Sequence, residues 1–319
     1  MRVIDVFNGD ADGICALHQL RLAEPCAEAE LVTGVKRDIA LLGRVRAGKG
    51  DRVTVLDISL DKNREDVRRL LDNGAHVRYF DHHFAGEIPQ HAALEAHIDT
   101  APDVCTSLLV SAYLQHRYRA WAVVAAFGDN MFDAALAAAR PLALTAAELK
   151  QLERLGTLLN YNGYGVTVED LHVHPADLYR ALSPYTDPLA FVAESPTYRL
   201  LADGYAADMA LAGAQPLLQA DDATAVIMLP DAAWARRVSG VFGNALARQY
   251  PARAHALITA LADGCYRVSV RAPLNTKTGA DELCMRFPTG GGRKAAAGIN
   301  ALPADMLDRF IDAFRAQYG

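Results

Sequence analysis

The sequence predicts an α/β protein with a parallel-sheet domain, a helical connector and a smaller C-terminal α/β domain. Short apolar runs alternate with helical patterns over the first hundred or so residues, as in βαβ units. The same alternation returns after residue 221. The chain has 319 residues, enough for two domains, and 51% of them are hydrophobic while 22% are charged. This composition is typical of a globular protein.

The N-terminal domain is predicted to contain four strands joined by helices. The apolar runs of strand length are VIDVF (3–7), LVTGV (31–35), RVTVLD (52–57) and HVRYFD (76–81). Helices are predicted after the first strand, in IALLGRV, and in DKNREDVRRLLDNG (61–74), which has an acidic first turn and a glycine at its end. Since parallel strands end at one edge of a sheet, residues that follow them are expected to meet there.

The remainder of the chain is predicted to be helical at first and then α/β again. Helical patterns run from about residue 103 through VCTSLLVSAYL, AWAVVAAFGDN, ALAAAR and LTAAELKQLERLGTLL. Strands are predicted in ATAVIMLP, HALITAL and YRVSVRAP, with helices in ARRVSGVFGNALARQY and MLDRFIDAFRAQY. We therefore predict three parts: a domain at 1–145, a connector at 146–220 and a domain at 221–319.

Charge is distributed unevenly along the chain. The net charge is −6, but residues 221–319 carry 12 Lys+Arg against 9 Asp+Glu, or +3, which leaves −9 for the first 220 residues. This split suggests an acidic half that binds cations and a basic half that binds an anion. The five cysteines form no CxxC pair and are predicted to be reduced thiols. Acidic residues come too early for a signal peptide, so a cytoplasmic protein is expected.

Carboxylates and imidazoles follow several of the predicted strands and one helix. They are Asp10, Asp12, Asp57, Asp81, His82, His83 and Asp129. Carboxylates gathered at one sheet edge repel one another, and divalent cations remove that repulsion. The pattern favours a two-metal centre, in which two cations bind a phosphoryl group and activate water. Taken singly, each Asp is equally typical of a turn or a helix N-cap.

These motifs, in this order, resemble those of the DHH phosphoesterase superfamily, which includes RecJ-type exonucleases, nanoRNases, cyclic-dinucleotide phosphodiesterases and type II inorganic pyrophosphatases. The resemblance rests on DADG (10–13), the Asp of LDIS, DHH (81–83) and the Asp of FGDN. Near the C-terminus, TGGGRKAAAGI (289–299) resembles the glycine-rich signature of the DHH-associated domain, and VSVRAP (268–273) resembles its substrate-binding strand. The resemblance spans almost the whole chain.

The resemblance implies a role for each matching residue. The implied metal ligands are Asp10, Asp12, Asp57, His82 and Asp129, with Asp57 bridging two ions. Asp81 would orient the His82 imidazole without binding the metal itself. His83 would face the substrate phosphate, and His83 and Asp57 are therefore the implied catalytic residues. The implied substrate-binding residues are Arg271, Gly290, Gly291, Gly292 and Arg293, with the glycines forming an anion-binding turn.

Two positions depart from the family pattern. Members usually carry a histidine two or four residues before the first motif aspartate, and here those positions are Asn8 and Val6. One metal subsite has therefore lost an imidazole, although the Asn8 side-chain oxygen could support it. Arg293 stands where the C-terminal signature usually has histidine, and a guanidinium suits a highly charged phosphate ligand.

The resemblance therefore implies a metal-dependent phosphohydrolase that uses two Mn²⁺ ions, or Mg²⁺. Its expected substrates are short oligonucleotides or single-stranded ends, then cyclic or dinucleotides, then polyphosphate or pyrophosphate, and exo-type cleavage is expected. The alternative is a non-catalytic DHH module that binds a nucleotide, a nucleic acid or a protein, which the change at Asn8 favours. A homodimer is compatible with either function, and no membrane association is expected.

Overall fold

The structure is a computed structural model that describes residues 1–319, and it divides into two compact units. The first unit is Met1–Asp203 and the second is Gly204–Gly319. The division falls within a helix, α9 below, and the predicted three-part domain organisation stays a prediction. No helix combines the length and the apolar character that crossing a membrane requires.

The first unit is built on a five-stranded parallel sheet. Its strands are β1 (Val3–Phe7), β2 (Glu30–Thr33), β3 (Arg52–Leu56), β4 (His76–Asp81) and β5 (Leu94–Ile98), in the order β2-β1-β3-β4-β5. The four strands predicted from the sequence are all present, and the mixed α/β fold is confirmed. The sequence did not indicate β5, because its exposed edge position leaves it with the polar residues Glu95 and His97 and without a continuous apolar run.

Nine helices surround this sheet or extend from it. They are α1 (Ala11–Ala23), α2 (Leu60–Asp72), α3 (Thr106–Tyr113), α4 (Arg119–Gly128), α5 (Phe132–Ala139), α6 (Ala146–Asn162), α7 (Pro175–Leu182), α8 (Pro188–Glu194) and α9 (Pro196–Gly213), the last of which crosses the division between the units. The segment IALLGRV was predicted as a helix, but it forms only a 3-10 turn at Leu41–Arg44. Gly43 lies inside that turn, and glycine disfavours a longer helix.

Helix α1 is the centre of the first unit and starts directly at the carboxyl end of β1. Its residues from Ala11 to Leu20 are all buried, so the helix is covered by packed neighbours on every side. Close packing of α4 on α6 depends on two glycines. A Cβ at Gly128 would lie 2.4 Å from the Ala11 Cβ, and one at Gly156 would lie 2.2 Å from the Val124 carbonyl oxygen. These contacts bring the end of α4 to the start of α1.

The second unit contains a six-stranded mixed sheet. Its elements are β6 (Leu217–Ala220), β7 (Thr224–Leu229), α10 (Ala233–Gln249), β8 (Ala254–Ala260), β9 (Tyr266–Arg271), α11 (Ala280–Cys284), β10 (Gly290–Arg293), β11 (Ala296–Leu302) and α12 (Leu307–Tyr318). The strand order is β10-β11-β9-β8-β7-β6, in which only β7 and β8 are parallel. Buried Phe310 and Phe314 of α12 belong to the core of this unit.

The glycine-rich segment was predicted to be a turn, and that prediction is wrong. Gly290–Arg293 forms β10, which pairs antiparallel with β11 at the edge of the sheet. The glycines are needed for close approach, because a Cβ at Gly290 would lie 1.8 Å from the Cys284 carbonyl oxygen. Gly292 has a φ of 145°, a backbone conformation that residues other than glycine rarely adopt.

Candidate metal centre

The five side chains predicted as metal ligands lie at the carboxyl edge of the parallel sheet. Asp10 and Asp12 follow β1, Asp57 follows β3, His82 follows β4, and Asp129 is the residue after α4. Strands β2 and β3 lie on opposite sides of β1, so the strand order changes direction at β1. Ligands of open parallel sheets bind at such a change of direction. The structure therefore brings together residues that are more than a hundred positions apart in sequence.

Two overlapping groups of side chains could each hold a metal ion. Within each group the ligand atoms all lie within 4.8 Å of one another. The groups are Asp57, His82 and His83, and Asp12, His82 and Asp129. His82 belongs to both, and Asp10 is the one predicted ligand that belongs to neither. The donor atoms are therefore concentrated around the His82 imidazole.

Backbone amides fix the two carboxylates of the DADG motif. Asp10 is the N-cap of α1, and its Oδ1 accepts hydrogen bonds from the Asp12 and Gly13 amides at 3.0 and 3.1 Å. The Asp12 carboxylate accepts from the Thr106 and Ser107 amides, at the start of α3, at 2.8 and 2.7 Å. Burial and the Asp129 charge nevertheless raise the pKa of Asp12. Hydrogen bonding orients these carboxylates but leaves their mutual repulsion uncompensated.

Asp57 reaches the cluster through an unusual backbone conformation. Its φ of 59° lies in the left-handed region, which aspartate tolerates better than most residues. The Asp57 amide donates to the Phe80 carbonyl at 3.0 Å, and the Thr106 hydroxyl donates to its Oδ1 at 3.4 Å. Burial, together with the charges of Asp10 and Asp12, raises the pKa of Asp57 well above its ordinary value. A nearby positive charge would favour the ionised form of such a carboxyl.

The two histidines of the DHH motif face different partners. The His82 Nδ1 lies 2.9 Å from the Val104 carbonyl oxygen, and its Nε2 points to the carboxylates, 3.5 Å from Asp57 Oδ1 and 3.7 Å from Asp129 Oδ2. With Nδ1 donating to the carbonyl, Nε2 has a free lone pair for a metal ion.

Asp81 was expected to hold the His82 imidazole, but it holds that of His83. Its Oδ1 lies 2.7 Å from the His83 Nδ1, and from His82 it accepts only the backbone amide, at 2.9 Å. Side chains alternate along an extended chain, so residues 81 and 83 point the same way. The His83 side chain is 40% exposed. Burial alone would lower the pKa of His83, but the hydrogen bond and charge of Asp81 raise it above its ordinary value.

Lys36 is the principal site residue that the sequence analysis missed. Its ammonium contacts Asp10 Oδ2 and lies 2.9 Å from both Asp129 Oδ1 and Asn160 Oδ1. Burial opposes its charge, but Asp10 and Asp129 raise the pKa of Lys36 well above its ordinary value. For Asp129, burial acts to raise the pKa, but the charge and hydrogen bond of Lys36 together with the neighbouring histidines outweigh it and lower the pKa. An ion pair therefore occupies one side of the cluster.

A sequence signal for Lys36 did exist. It lies just beyond β2, the strand beside β1, and so at the same sheet edge as the carboxylates. Asn8 contacts this segment directly, because its side-chain amide donates to the Lys36 carbonyl oxygen at 3.1 Å. The Asn8 Oδ1 is buried without a hydrogen-bond partner. Asn8 and Lys36 are thus neighbours in space.

The cluster suits a divalent cation. Four buried or nearly buried carboxylates, those of Asp10, Asp12, Asp57 and Asp129, belong to the cluster, and a single ammonium, that of Lys36, contacts two of them. Burial and the charges of Asp10 and Asp12 raise the pKa of Asp57, so a nearby cation would favour its ionised form. Carboxylate oxygens and an imidazole nitrogen are ligands that Mn²⁺ and Mg²⁺ accept. The residues present therefore fit at least one such ion.

The predicted substrate-binding residues lie in the second unit. Ala296 of β11 pairs with Arg271 of β9 on one side and with Arg293 of β10 on the other. Directly paired residues point to the same face of a sheet, so the three side chains share one face. The Arg271 guanidinium donates to Asn244 Oδ1 at 2.6 Å and to Ser269 Oγ at 3.0 Å, which fixes its orientation. Arg293 is exposed. The structure thus brings these two arginines into one row.

Comparison with known proteins identifies the fold. No protein-family model matches the sequence, and no curated protein does. A manganese-bound RecJ exonuclease is 19% identical with a TM-score of 0.62, and the match covers 99% of this chain and 89% of that one. RecJ with Mn²⁺ from Thermus thermophilus is 20% identical with a TM-score of 0.61, covering 99% and 51%. The pGpG-specific phosphodiesterase PggH from Vibrio cholerae is 16% identical with a TM-score of 0.58, covering 99% and 98%.

These structural neighbours are members of the DHH superfamily, so the resemblance inferred from the motifs is confirmed for the fold. The similarity extends over nearly the whole chain, as the sequence analysis predicted. This chain spans about half the length of the T. thermophilus RecJ but almost the full length of PggH.

Proposed function

We propose that the protein is a metal-dependent phosphodiesterase that cleaves short oligonucleotides or nucleotide phosphodiesters, with Mn²⁺ or Mg²⁺ as its cofactor. The observation that carries this proposal is the convergence of Asp12, Asp57 and Asp129 around His82 at the sheet edge, in two overlapping groups whose ligand atoms lie within 4.8 Å of one another. Two kinds of structural neighbour support it. One is RecJ, described as an exonuclease and seen with Mn²⁺ or Mg²⁺, and the other is a pGpG-specific phosphodiesterase.

The site residues fit the chemistry of phosphodiester cleavage. A divalent ion supplies Lewis-acid activation of water and of the phosphoryl group. Asp57 and His82 would bind that ion through Oδ1 and Nε2, which lie 3.5 Å apart. His83, half-exposed and anchored by Asp81, would present its Nε2 to the substrate. Because the pKa of His83 is raised, its imidazolium can donate a proton to a phosphate or leaving oxygen.

The second unit has residues of its own that would bind phosphate groups. The row of Arg271 and Arg293 offers two guanidinium groups, which suit phosphate through paired N–H donors. Two such charges favour a substrate with more than one phosphate, as in a dinucleotide or a short oligonucleotide. Polyphosphate and pyrophosphate meet the same charge requirement and belong in any substrate panel.

The direct test is hydrolysis of a substrate panel with Mn²⁺ or Mg²⁺. It would include bis(p-nitrophenyl) phosphate, pGpG, oligonucleotides of two to five residues, polyphosphate and pyrophosphate. We expect cleavage of the nucleotide substrates, a loss of at least 100-fold with Asp57→Asn, and wild-type rates with exposed Asp103→Asn as the matched control. Wild-type rates in Asp57→Asn would refute the proposed site.

The role of the second unit needs a separate variant. Arg293→Ala is expected to raise KM for oligonucleotides while kcat for bis(p-nitrophenyl) phosphate and the metal content stay unchanged. Arg248→Ala, which removes another exposed arginine of the same unit, is the control. An unchanged KM in the Arg293 variant would show that β10 does not bind substrate.

A non-catalytic nucleotide-binding module is the second candidate. Two observations favour it: Asn8 stands in place of a histidine, and the Lys36 ammonium lies among the carboxylates. A purified protein that binds pGpG or an oligonucleotide but cleaves nothing in the panel with either metal would establish this function instead.

A further inference from the structure

We propose that the Lys36 ammonium takes the place of one cation, so that the site binds one divalent ion where the two-metal arrangement expected from the sequence would bind two. This inference rests on the proposed metal-dependent function and specifies its metal content.

The contacts of Lys36 use every hydrogen-bond donor that the ammonium has. A lysine ammonium carries three N–H groups. The three acceptors within reach are Asp10 Oδ2, Asp129 Oδ1 and Asn160 Oδ1. These oxygens come from the end of β1, the end of α4 and α6, which are the parts of the chain that surround this side of the site. A cation-binding position is therefore filled by the protein itself.

Lys36 is held in this position from several directions. Its backbone amide donates to the Gly163 carbonyl at 2.8 Å, and its carbonyl oxygen accepts from the Asn8 side chain at 3.1 Å. The ammonium also lies 5.8 Å from the centre of the Tyr164 ring, within the range of a cation–π contact. Only 23% of the side chain is exposed. Several contacts therefore fix the position of Lys36 within the site, unlike that of a mobile surface lysine.

The ligands that remain define one cation position on the opposite side, because both ligand groups share His82, whose Nδ1 hydrogen-bonds to the Val104 carbonyl and whose Nε2 can bind one ion. Asp129 lies between the two sides, since its Oδ1 faces Lys36 and its Oδ2 lies 3.7 Å from the His82 Nε2. Asp12 and Asp57 complete the donors around His82. Asp10, whose Oδ1 caps α1 and whose Oδ2 contacts Lys36, is outside both ligand groups. The Asp129 carboxylate thus bridges the Lys36 ammonium and the metal position, in the way that a carboxylate bridges the two ions of a two-metal site.

The net charge of the cluster also favours one divalent ion over two. The four carboxylates of the cluster carry −4 when ionised. One divalent ion and the ammonium supply +3, whereas two divalent ions and the ammonium would supply +5. A second ion would also have to lie beside the ammonium, where like charges repel strongly in a buried site. The substitution at Asn8 acts in the same direction, because it removes an imidazole ligand from that side.

Manganese stoichiometry and electron paramagnetic resonance test this inference without using activity. The full-length protein would be equilibrated with excess Mn²⁺, desalted, and analysed for metal content and for spin coupling between ions. We expect one Mn²⁺ per chain and an uncoupled six-line spectrum in the wild type. The double variant Asn8→His/Lys36→Met restores an imidazole and removes the ammonium, and it should bind two Mn²⁺ ions with a spin-coupled spectrum.

Lys62→Met is the matched control, because Lys62 is an exposed lysine of the same unit, and it should keep one ion. Two coupled ions in the wild type would overturn the inference while leaving the proposed function intact. One ion per chain in both the wild type and the double variant would overturn the role of Lys36. The absence of bound Mn²⁺ in the wild type would refute the proposed function and this inference together, whereas one ion without hydrolysis would refute the function alone.

Discussion

Replacing Asp57 by asparagine isolates the electrostatic strain of the metal-free site. The φ of 59° at this position is tolerated by asparagine as well as by aspartate, whereas alanine would add backbone strain. An amide oxygen can also accept the hydrogen bond that the Thr106 hydroxyl donates to Asp57 Oδ1. The variant therefore removes the ionisable carboxyl and changes little else.

The size of the effect follows from the protonation of Asp57. Burial and the charges of Asp10 and Asp12 raise its pKa well above the ordinary value, so folding of the metal-free protein is accompanied by proton uptake at pH values between the unfolded-state and folded-state pKa. The stability contributed by such a group is complete below about pH 4 and is lost as the pH rises through its folded-state pKa. Keeping a carboxyl of ordinary pKa ~3.9 protonated at pH 7 costs at most about 4 kcal/mol, at ~1.36 kcal/mol per pH unit.

Thermal unfolding with and without Mn²⁺ measures both consequences. The first unit has 203 residues, a size at which ~1 kcal/mol shifts Tm by roughly 2–4 °C. Metal-free Asp57→Asn is therefore expected to melt several degrees above the metal-free wild type at pH 7. In the wild type, Mn²⁺ at 100 times its Kd should stabilise by about 2.7 kcal/mol, or roughly 5–11 °C. In the variant this shift should be largely lost.

Two results would refute this reasoning. One is a metal-free Asp57→Asn protein that is no more stable than the wild type at pH 8, where the difference should be largest. The other is a variant that keeps the full Mn²⁺ shift, which would remove Asp57 from the metal site. The exposed substitution Asp103→Asn should change neither the metal-free Tm nor the response to Mn²⁺.

Three further predictions concern stability and positioning. Burial lowers the pKa of His18 to about 4, so stability should be complete above pH ~6.5 and fall by about 2 kcal/mol by pH 5. Urea unfolding of His18→Gln should lack this fall, and an identical pH dependence in both proteins would contradict the prediction. Asp81→Asn should lower phosphodiesterase activity about 10–100-fold through the loss of charge beside His83 while the Mn²⁺ content is unchanged. Loss of the metal would show instead that Asp81 supports the ion. Gly9→Ala should destabilise by at least ~3 kcal/mol, because its Cβ would lie 1.9 Å from a backbone oxygen, whereas Gly213→Ala meets no atom within 4 Å and should be neutral or stabilising.

Features that depend on residues close together in the sequence were predictable. Apolar runs gave the positions of β1, β3 and β4, because strands buried on both faces are almost continuously apolar. The residues that follow such strands must lie at the carboxyl edge of a parallel sheet. The sequence alone therefore places Asp10, Asp57 and His82 at one edge of the sheet.

Features that depend on partners distant in sequence were not predictable. The pairing of Asp81 with His83 depends on the direction in which the chain leaves β4. The glycine-rich segment forms a strand because neighbouring backbone approaches too closely for side chains, and no local pattern reports that approach. Edge strand β5 lacks an apolar run because its position leaves polar side chains in contact with solvent.

The sequence by itself determined the fold class and the chemical type of the site, since strand ends and residue types are local properties. Only the tertiary structure decided how the site's charges are balanced. Lys36 is 93 residues from Asp129 and 124 from Asn160, and packing of β2, α4 and α6 brings the three together. Electrostatic interactions depend on distance in space, so a lysine with no motif of its own can determine how many cations the carboxylates bind.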